Sequence, residues 1–223
     1  EKIIDRKLKK NKNYKKATMN YEVDKINKSI NFFDLLNTDG IFTKMIQPKI
    51  AMSAFKKLMG ENFICTYYSA QCSIAGARGQ SLHLDYPYVS YNNPGDKIPI
   101  GMGSNDFLLS CGILTYLNDS DKKNHGPILL KGSHKFRRFP TIEDVKKYKF
   151  LKVKVPKGGM LILNTLMWHA GAPNYSEKKD RHLLVAHYTP SFVKLRMNLK
   201  STTKKNVMLK DKKENGILDQ LLT

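Results

Sequence analysis

The chain has 223 residues, 41% of them hydrophobic and 10% aromatic, with 39 Lys plus Arg against 19 Asp plus Glu and a formal net charge of +20. This is enough apolar material for one buried core, and it excludes a chain disordered throughout. No run approaches the roughly 18 consecutive apolar residues of a membrane-spanning helix, and the polar stretch Glu1 to Lys16 does not read as a signal peptide, so a cytoplasmic location is expected. The chain opens on Glu1 rather than Met, which is compatible with a processed form. Three cysteines, Cys65, Cys72 and Cys111, match neither a disulfide framework nor a paired Cys-x-x-Cys zinc site and point to a reducing compartment.

The charge sits at the ends. Eight basic residues fall within Glu1 to Lys16 and eight more between Lys194 and Lys213, whereas Arg78 and Lys97 are the only two between Gly60 and Asp121. One reading is a footprint for nucleic acid or an anionic membrane surface. The other is a solvated surface in a Lys-rich chain, and the composition favours it: 33 Lys against 6 Arg, with 17 Asn and 16 Ile. Phosphate readers lean on the bidentate fork of Arg, and no aromatics are interleaved with the basic runs as a stacking platform requires.

In chain order, residues 1–60 read as a mostly helical, Lys-rich flank. Pro48 opens a helix whose apolar residues Ile50, Met52, Phe55 and Met59 recur at three to four residue intervals, and Gly60 ends it. Beyond Gly60 the period falls to two, through Phe63, Cys65, Tyr67, Cys72 and Ile74. Further strands are expected at Gln80 to Leu84, Leu108 to Asn118, Pro127 to Lys131, Phe150 to Val155, Gly159 to Asn164 and Leu183 to Thr189. Turn chemistry separates them at Gly76 to Gly79, Asn92 to Gly95 and Pro156-Lys157-Gly158-Gly159, the last a hairpin signal. Thr141 with Asp144 three residues on announces one short helix. The expected architecture is mainly β with flanking helices: a double-stranded β-helix, or jelly roll, over residues 61–192, with a basic tail over 193–223 and a single domain overall.

Three features carry chemistry on this scaffold: His83-Leu84-Asp85, His169 within Trp168-His169-Ala170-Gly171, and Arg181 at the mouth of the last long strand. A histidine and a carboxylate two residues apart share one face of a strand, so both reach one metal if a third ligand arrives from elsewhere, and His169 is the candidate. Two imidazoles and one carboxylate form a facial triad that leaves open positions on iron(II). Arg181, 12 residues beyond His169, is placed to return alongside it and hold a carboxylate in a bidentate pair. A lone His-x-Asp is common by chance, so the motif needs its context.

That context is a resemblance. From roughly Phe63 to Tyr188 the chain resembles the phytanoyl-CoA dioxygenase family of iron(II)- and 2-oxoglutarate-dependent oxygenases. The likeness is carried by Gln80-Ser81-Leu82-His83-Leu84-Asp85-Tyr86-Pro87-Tyr88, by Asn124-His125-Gly126-Pro127 through Lys131-Gly132-Ser133-His134-Lys135, and by Val155-Pro156-Lys157-Gly158-Gly159 leading to Trp168-His169 and then Arg181. It implies that His83, Asp85 and His169 bind Fe(II), that Arg181 anchors 2-oxoglutarate, and that O2 is consumed in a hydroxylation releasing succinate and CO2. The carboxylate at Asp85 implies hydroxylation, or a variant such as desaturation, rather than halogenation.

Three departures stand out. Lys131 replaces the usual Pro, Gly171 stands where a small polar residue often helps hold the cosubstrate, and the His169 to Arg181 interval is about one residue longer than usual. Thr66 and Thr115 are secondary candidates as hydroxyl donors, with packing as the competing role. Tyr86, Tyr88 and Arg137, with Arg138, are expected near a substrate entrance, where the arginines suit an anionic small molecule. His134 is expected to orient its loop, and His125, His182 and His187 lack partner spacing for ligation. Two rival functions are a catalytically silent jelly-roll protein binding a small ligand, and an oxygenase acting on nucleic acid.

Overall fold

A computed structural model describes residues 1–10, 21–85, 94–98, 108–121, 123–124, 126–194 and 196–222. Its strands are β1 (Tyr21–Asp24), β2 (Ser29–Phe32), β3 (Phe63–Ser73), β4 (Cys111–Tyr116), β5 (Ile128–Leu129), β6 (Leu151–Lys152), β7 (Met160–Asn164), β8 (His169–Ala170) and β9 (Arg181–Pro190). A six-stranded antiparallel sheet runs β1-β2-β3-β9-β4-β7, and a three-stranded sheet runs β6-β5-β8. The two sheets sandwich a cavity, the jelly-roll arrangement expected from the sequence.

Strand parity decides what enters that cavity, because successive side chains point to opposite faces. On β9, Arg181, Leu183, Val185 and His187 face inward, opposite Ser73, Gln71, Ser69 and Tyr67 of β3. The alternate residues Leu184, Ala186 and Tyr188 face outward into the main core with Tyr68, Ala70 and Cys72. A bulge between Cys65 and Tyr67 switches the parity of β3, so that Cys65 packs outward against Tyr188 while Tyr67 meets His187 inside.

Helices cover the outer face: α1 (Lys2–Lys10), α2 (Ile41–Met45), α3 (Lys49–Met59), α5 (Leu199–Thr202), α6 (Lys205–Lys213) and α7 (Leu218–Leu221). Pro48 caps α3 and Gly60, at φ +86°, ends it. Its buried stripe is Ala51, Met52, Phe55 and Met59, whereas Ile50, expected on that stripe, is exposed, one position off the inward arc. Fully burying each of the three large side chains contributes about 1.5–3 kcal/mol. The remaining helix, α4 (Ile142–Lys147), begins with the expected capping box: Thr141 Oγ1 accepts from the Asp144 N–H, and the Asp144 carboxylate accepts from the Thr141 N–H.

Several expectations differ from the structure. The first 60 residues contribute the β1–β2 hairpin to the main sheet, with Asp24 accepting from the Ile26 and Asn27 N–H groups in the turn. Residues 193–223 are less a tail than part of the helical cover, since Leu199, Leu218, Leu221 and Leu222 are buried in the main core. The Pro156 to Gly159 turn joins strands of different sheets, a corner rather than a hairpin. Finally, β9 runs between β3 and β4, so Arg181 does not return beside His169 but lies on the opposite sheet, facing it across the cavity.

Candidate active site

Three segments are stitched together at one end of the cavity. His83 and His169 exchange backbone hydrogen bonds of 2.9 and 2.8 Å, making a single bridge rather than the strand expected over Gln80 to Leu84. Asp85 is fixed two residues on, where its N–H donates to the Thr165 carbonyl at 2.8 Å and the Thr165 hydroxyl donates back to the Asp85 carbonyl at 3.0 Å. The loop before β8 is anchored from beneath. The Ser133 hydroxyl accepts from the Trp168 N–H at 2.8 Å and donates to the Leu130 carbonyl, and the fully buried Trp168 indole donates to the Arg138 carbonyl at 2.8 Å.

Each imidazole is oriented by its own chain. Nδ1 of His83 lies 2.8 Å from the Ser81 carbonyl, and Nδ1 of His169 lies 2.7 Å from the Met167 carbonyl. Nδ1 therefore donates in each ring, and Nε2 is the nitrogen left to take a metal. One ligand atom from each of His83, Asp85 and His169 lies within 4.8 Å of the others, and His169 Nε2 is 3.4 Å from Asp85 Oδ2. This donor set, two imidazoles and one carboxylate, fits a ferrous ion with open positions.

The electrostatics agree. Burial works to raise the Asp85 carboxyl, but His169, His187 and His83 outweigh it and hold the group well below the usual carboxylate range. Burial lowers His83 and His187. It acts on His169 too, yet the Asp85 carboxylate reverses the sign and raises that ring. The cluster is thus an anionic centre ringed by imidazoles, suited to a divalent cation.

Arg181 lies across the cavity and is only 3% exposed. Its guanidinium donates to the Ala172 carbonyl at 2.7 Å, to Ser73 Oγ at 3.1 Å and to Asn124 Oδ1 at 3.3 Å. Gln80 lines the same recess. The Gln80 N–H donates to the Gly171 carbonyl, and the Gly171 N–H donates to Gln80 Oε1, both at 2.9 Å. A Cβ on residue 171 would lie 2.8 Å from that Oε1, so glycine there makes room for the Gln80 amide.

The cavity, of about 160 Å³, also takes in residues the sequence reading did not select: Tyr67, Tyr116, His187, Glu22, Asn31 and Arg196. His187 Nε2 is 3.6 Å from Asp85 Oδ2, and its ring stacks 5.4 Å from Tyr67. Alternation from Arg181 marks His187 as an inward residue, a signal present in the sequence. Arg196 lies 4.6 Å over the Tyr67 ring, and Asn31 donates to Glu22 at 3.0 Å. Burial pushes the Tyr116 phenol up to about 12, leaving it a neutral hydrogen-bonding group.

Other candidates lie elsewhere. Arg138 forms a bidentate pair with Asp144, at 2.6 and 2.7 Å, and covers Trp168, while Arg137 is exposed at φ +50° and outside the cavity lining. Thr115 pairs with the outward residue Leu184, and Thr66 occupies the bulge, so neither lines the cavity. Tyr86, Tyr88 and His125 lie outside the described residues. His134 does not line the cavity.

A jelly roll with two histidines and an aspartate converging at one end of its cavity defines the class of non-haem iron oxygenase scaffolds. Residues 3–183 match the family described as phytanoyl-CoA dioxygenase (PhyH), and the chain belongs to that family, whose members use iron(II), 2-oxoglutarate and dioxygen. Among curated proteins it is similar to dioxygenase af480 of Aspergillus fumigatus, 21% identical over 161 residues. That match covers 72% of this chain and 48% of the relative, so the chain spans about half the relative's length. Among solved structures, HygX of Streptomyces hygroscopicus with nickel and 2-oxoglutarate bound aligns with TM-score 0.61 at 14% identity, covering 89% of this chain and 82% of that one. SnoN, a non-haem α-ketoglutarate-dependent epimerase of nogalamycin biosynthesis, aligns with TM-score 0.58 at 10% identity, covering 92% and 78%. At these identities the structural likeness speaks for the fold. Among the described residues, no helix is long and apolar enough to cross a membrane.

Proposed function

We propose that the chain is an iron(II)- and 2-oxoglutarate-dependent dioxygenase that hydroxylates a small polar molecule, releasing succinate and CO2. The observation that carries this reading is the convergence of His83, Asp85 and His169 at one end of a cavity whose opposite wall holds Arg181. His83 and His169 would bind through Nε2, since each Nδ1 is committed to a backbone carbonyl. Arg181 would hold the distal carboxylate of 2-oxoglutarate, with the Gln80 amide as a second donor beside it. When bound, the ferrous ion and its cosubstrate supply the oxidising power to break an unactivated C–H bond with dioxygen. Leu114, Leu163, Leu183 and Val185 line the intervening wall and keep water from the reacting centre.

With Asp85 committed to the metal and Arg181 to the cosubstrate, the charged side chains left in the cavity lining among the described residues are Glu22 and Arg196, one of each sign. The substrate is therefore a small polar molecule with a cationic or hydroxyl group for Glu22 and an anionic or carbonyl group for Arg196, rather than the purely anionic one that Arg137 and Arg138 suggested. HygX has been solved with hygromycin B, a small-molecule ligand, alongside nickel and 2-oxoglutarate, which supports a cavity of this fold accepting such a molecule. The described basic helices α1, α5 and α6 sit on the outer face of the main sheet, away from the cavity, and give no support to a nucleic-acid substrate.

The test is anaerobic addition of iron(II) and 2-oxoglutarate, followed by the weak visible charge-transfer band of their chelate. The band is expected in the unmodified chain and absent in Asp85→Ala and His169→Ala. A panel of amino acids, amines, sugars and small acids is then screened for stimulated succinate release and for gain of one oxygen. Substrate-dependent succinate formation persisting in both variants would overturn the assignment.

A further inference from the structure

A second cluster of metal-ligating side chains lies on the opposite face of the same sheet. Cys72 of β3 pairs in register with His182 of β9, both pointing outward, and Asp180 immediately precedes β9. One ligand atom from each of Cys72, Asp180 and His182 lies within 4.8 Å of the others. Asp5, projecting from α1, brings Oδ1 to 3.3 Å from His182 Nδ1.

Two observations call for a ligand at this point. His182 is 4% exposed, yet neither of its ring nitrogens makes a hydrogen bond, and a buried imidazole left that way is costly. In addition, in a chain of net charge +20, neither Asp5 nor Asp180 is ion-paired to a lysine or arginine among the described residues. Cys72, Asp180 and His182 therefore converge, with Asp5 reaching the cluster through His182, and among the described residues no lysine or arginine is paired with either carboxylate. Burial keeps His182 neutral, with a lone pair to give.

We propose that Cys72, His182, Asp180 and Asp5 form a closed four-ligand site for a divalent cation of the zinc type. Sulfur, nitrogen and two oxygens are a zinc donor set, and two ligands bonded at about 2.0–2.1 Å to a tetrahedral ion lie about 3.3 Å apart, the separation found between His182 and Asp5. Asp180 keeps one oxygen for the ion, because Oδ1 accepts from the Ala75 N–H at 2.9 Å. With all positions filled by protein, the ion is structural: it staples α1, whose Ile4 is buried in the main core, to β3 and β9. The site is independent of the oxygenase reading.

Cobalt(II) is the probe, because it gives near-ultraviolet thiolate absorption only when bound to sulfur, which the His83, Asp85 and His169 site lacks. Titration is expected to produce that absorption in the unmodified chain and in His169→Ala, and to lose it in the near-isosteric Cys72→Ser. Asp5→Asn, at a partly exposed position, should weaken cobalt binding at least tenfold while leaving the fold intact. In the His169→Ala background zinc should raise the melting temperature by several degrees, and adding Cys72→Ser should abolish that response. Absence of thiolate absorption in both the unmodified chain and His169→Ala, its survival in Cys72→Ser, or a zinc-insensitive melting temperature in His169→Ala would overturn the proposal.

Discussion

Gln80 and Gly171 act as one unit, and that unit can be taken apart. Replacing Gln80 with Ala removes the amide whose Oε1 accepts from the Gly171 N–H at 2.9 Å, leaving its NH2 group no longer available beside Arg181. A hydrogen bond to a charged group contributes about 1.5–3 kcal/mol. If that NH2 meets the carboxylate held by Arg181, the dissociation constant of 2-oxoglutarate should rise by about 10- to 150-fold, at about 1.4 kcal/mol per factor of ten. Gly171→Ala reaches the same end by another route, because the new Cβ would lie 2.8 Å from Oε1 and push the amide aside. Since both changes work through one contact, the double variant should bind 2-oxoglutarate no worse than Gln80→Ala alone. The assay is anaerobic titration of the iron(II)-loaded chain with 2-oxoglutarate, read at the chelate band. Affinity within twofold of the unmodified chain in Gln80→Ala, while Arg181→Ala loses binding, would refute the reasoning.

Other perturbations probe the support of the site. Ser133→Ala removes the acceptor of the Trp168 N–H and should cost about 1–3 kcal/mol in denaturant unfolding, with weaker iron binding because His169 follows directly. Asp144→Asn should destabilise the chain by about 1–3 kcal/mol at neutral pH, since it weakens both the Arg138 pair and the Thr141 cap. Arg138 and Thr141 hold the Asp144 carboxyl well below its ordinary value, so its stabilisation is full above an unfolded-state pKa of about 3.9 and is lost as pH falls toward the folded one. Unfolding measured at neutral and at strongly acidic pH should accordingly show a smaller acid loss in Asp144→Asn than in the unmodified chain. Arg196→Ala should leave 2-oxoglutarate affinity within twofold while raising the half-saturating concentration of any substrate from the panel; unchanged substrate affinity would remove Arg196 from the substrate wall.

What could be read from the sequence was whatever depends on local period or on an ordered set of motifs. Alternation after Gly60, the Thr141 to Asp144 cap, the span of α3 and the series His83, Asp85, His169, Arg181 all belong to this kind, because strand parity, capping geometry and turn chemistry are properties of a few neighbouring residues. The β1–β2 hairpin escaped because its strands are four residues each and draw their stability from pairing with β3, a partner more than 35 residues away. Arg181 lines one cavity with the histidines but was given the wrong neighbour, since the choice between two sheets rests on long-range pairing that no local pattern encodes. Glu22, Asn31, Gln80, His187 and Arg196 carry no shared motif, and only the closing of the sheets around one cavity makes them a set. Cys72, His182, Asp180 and Asp5 are joined likewise, across a strand register and a helix docked on it, because what a side chain can bind depends on which distant atoms folding brings within a few ångströms of it.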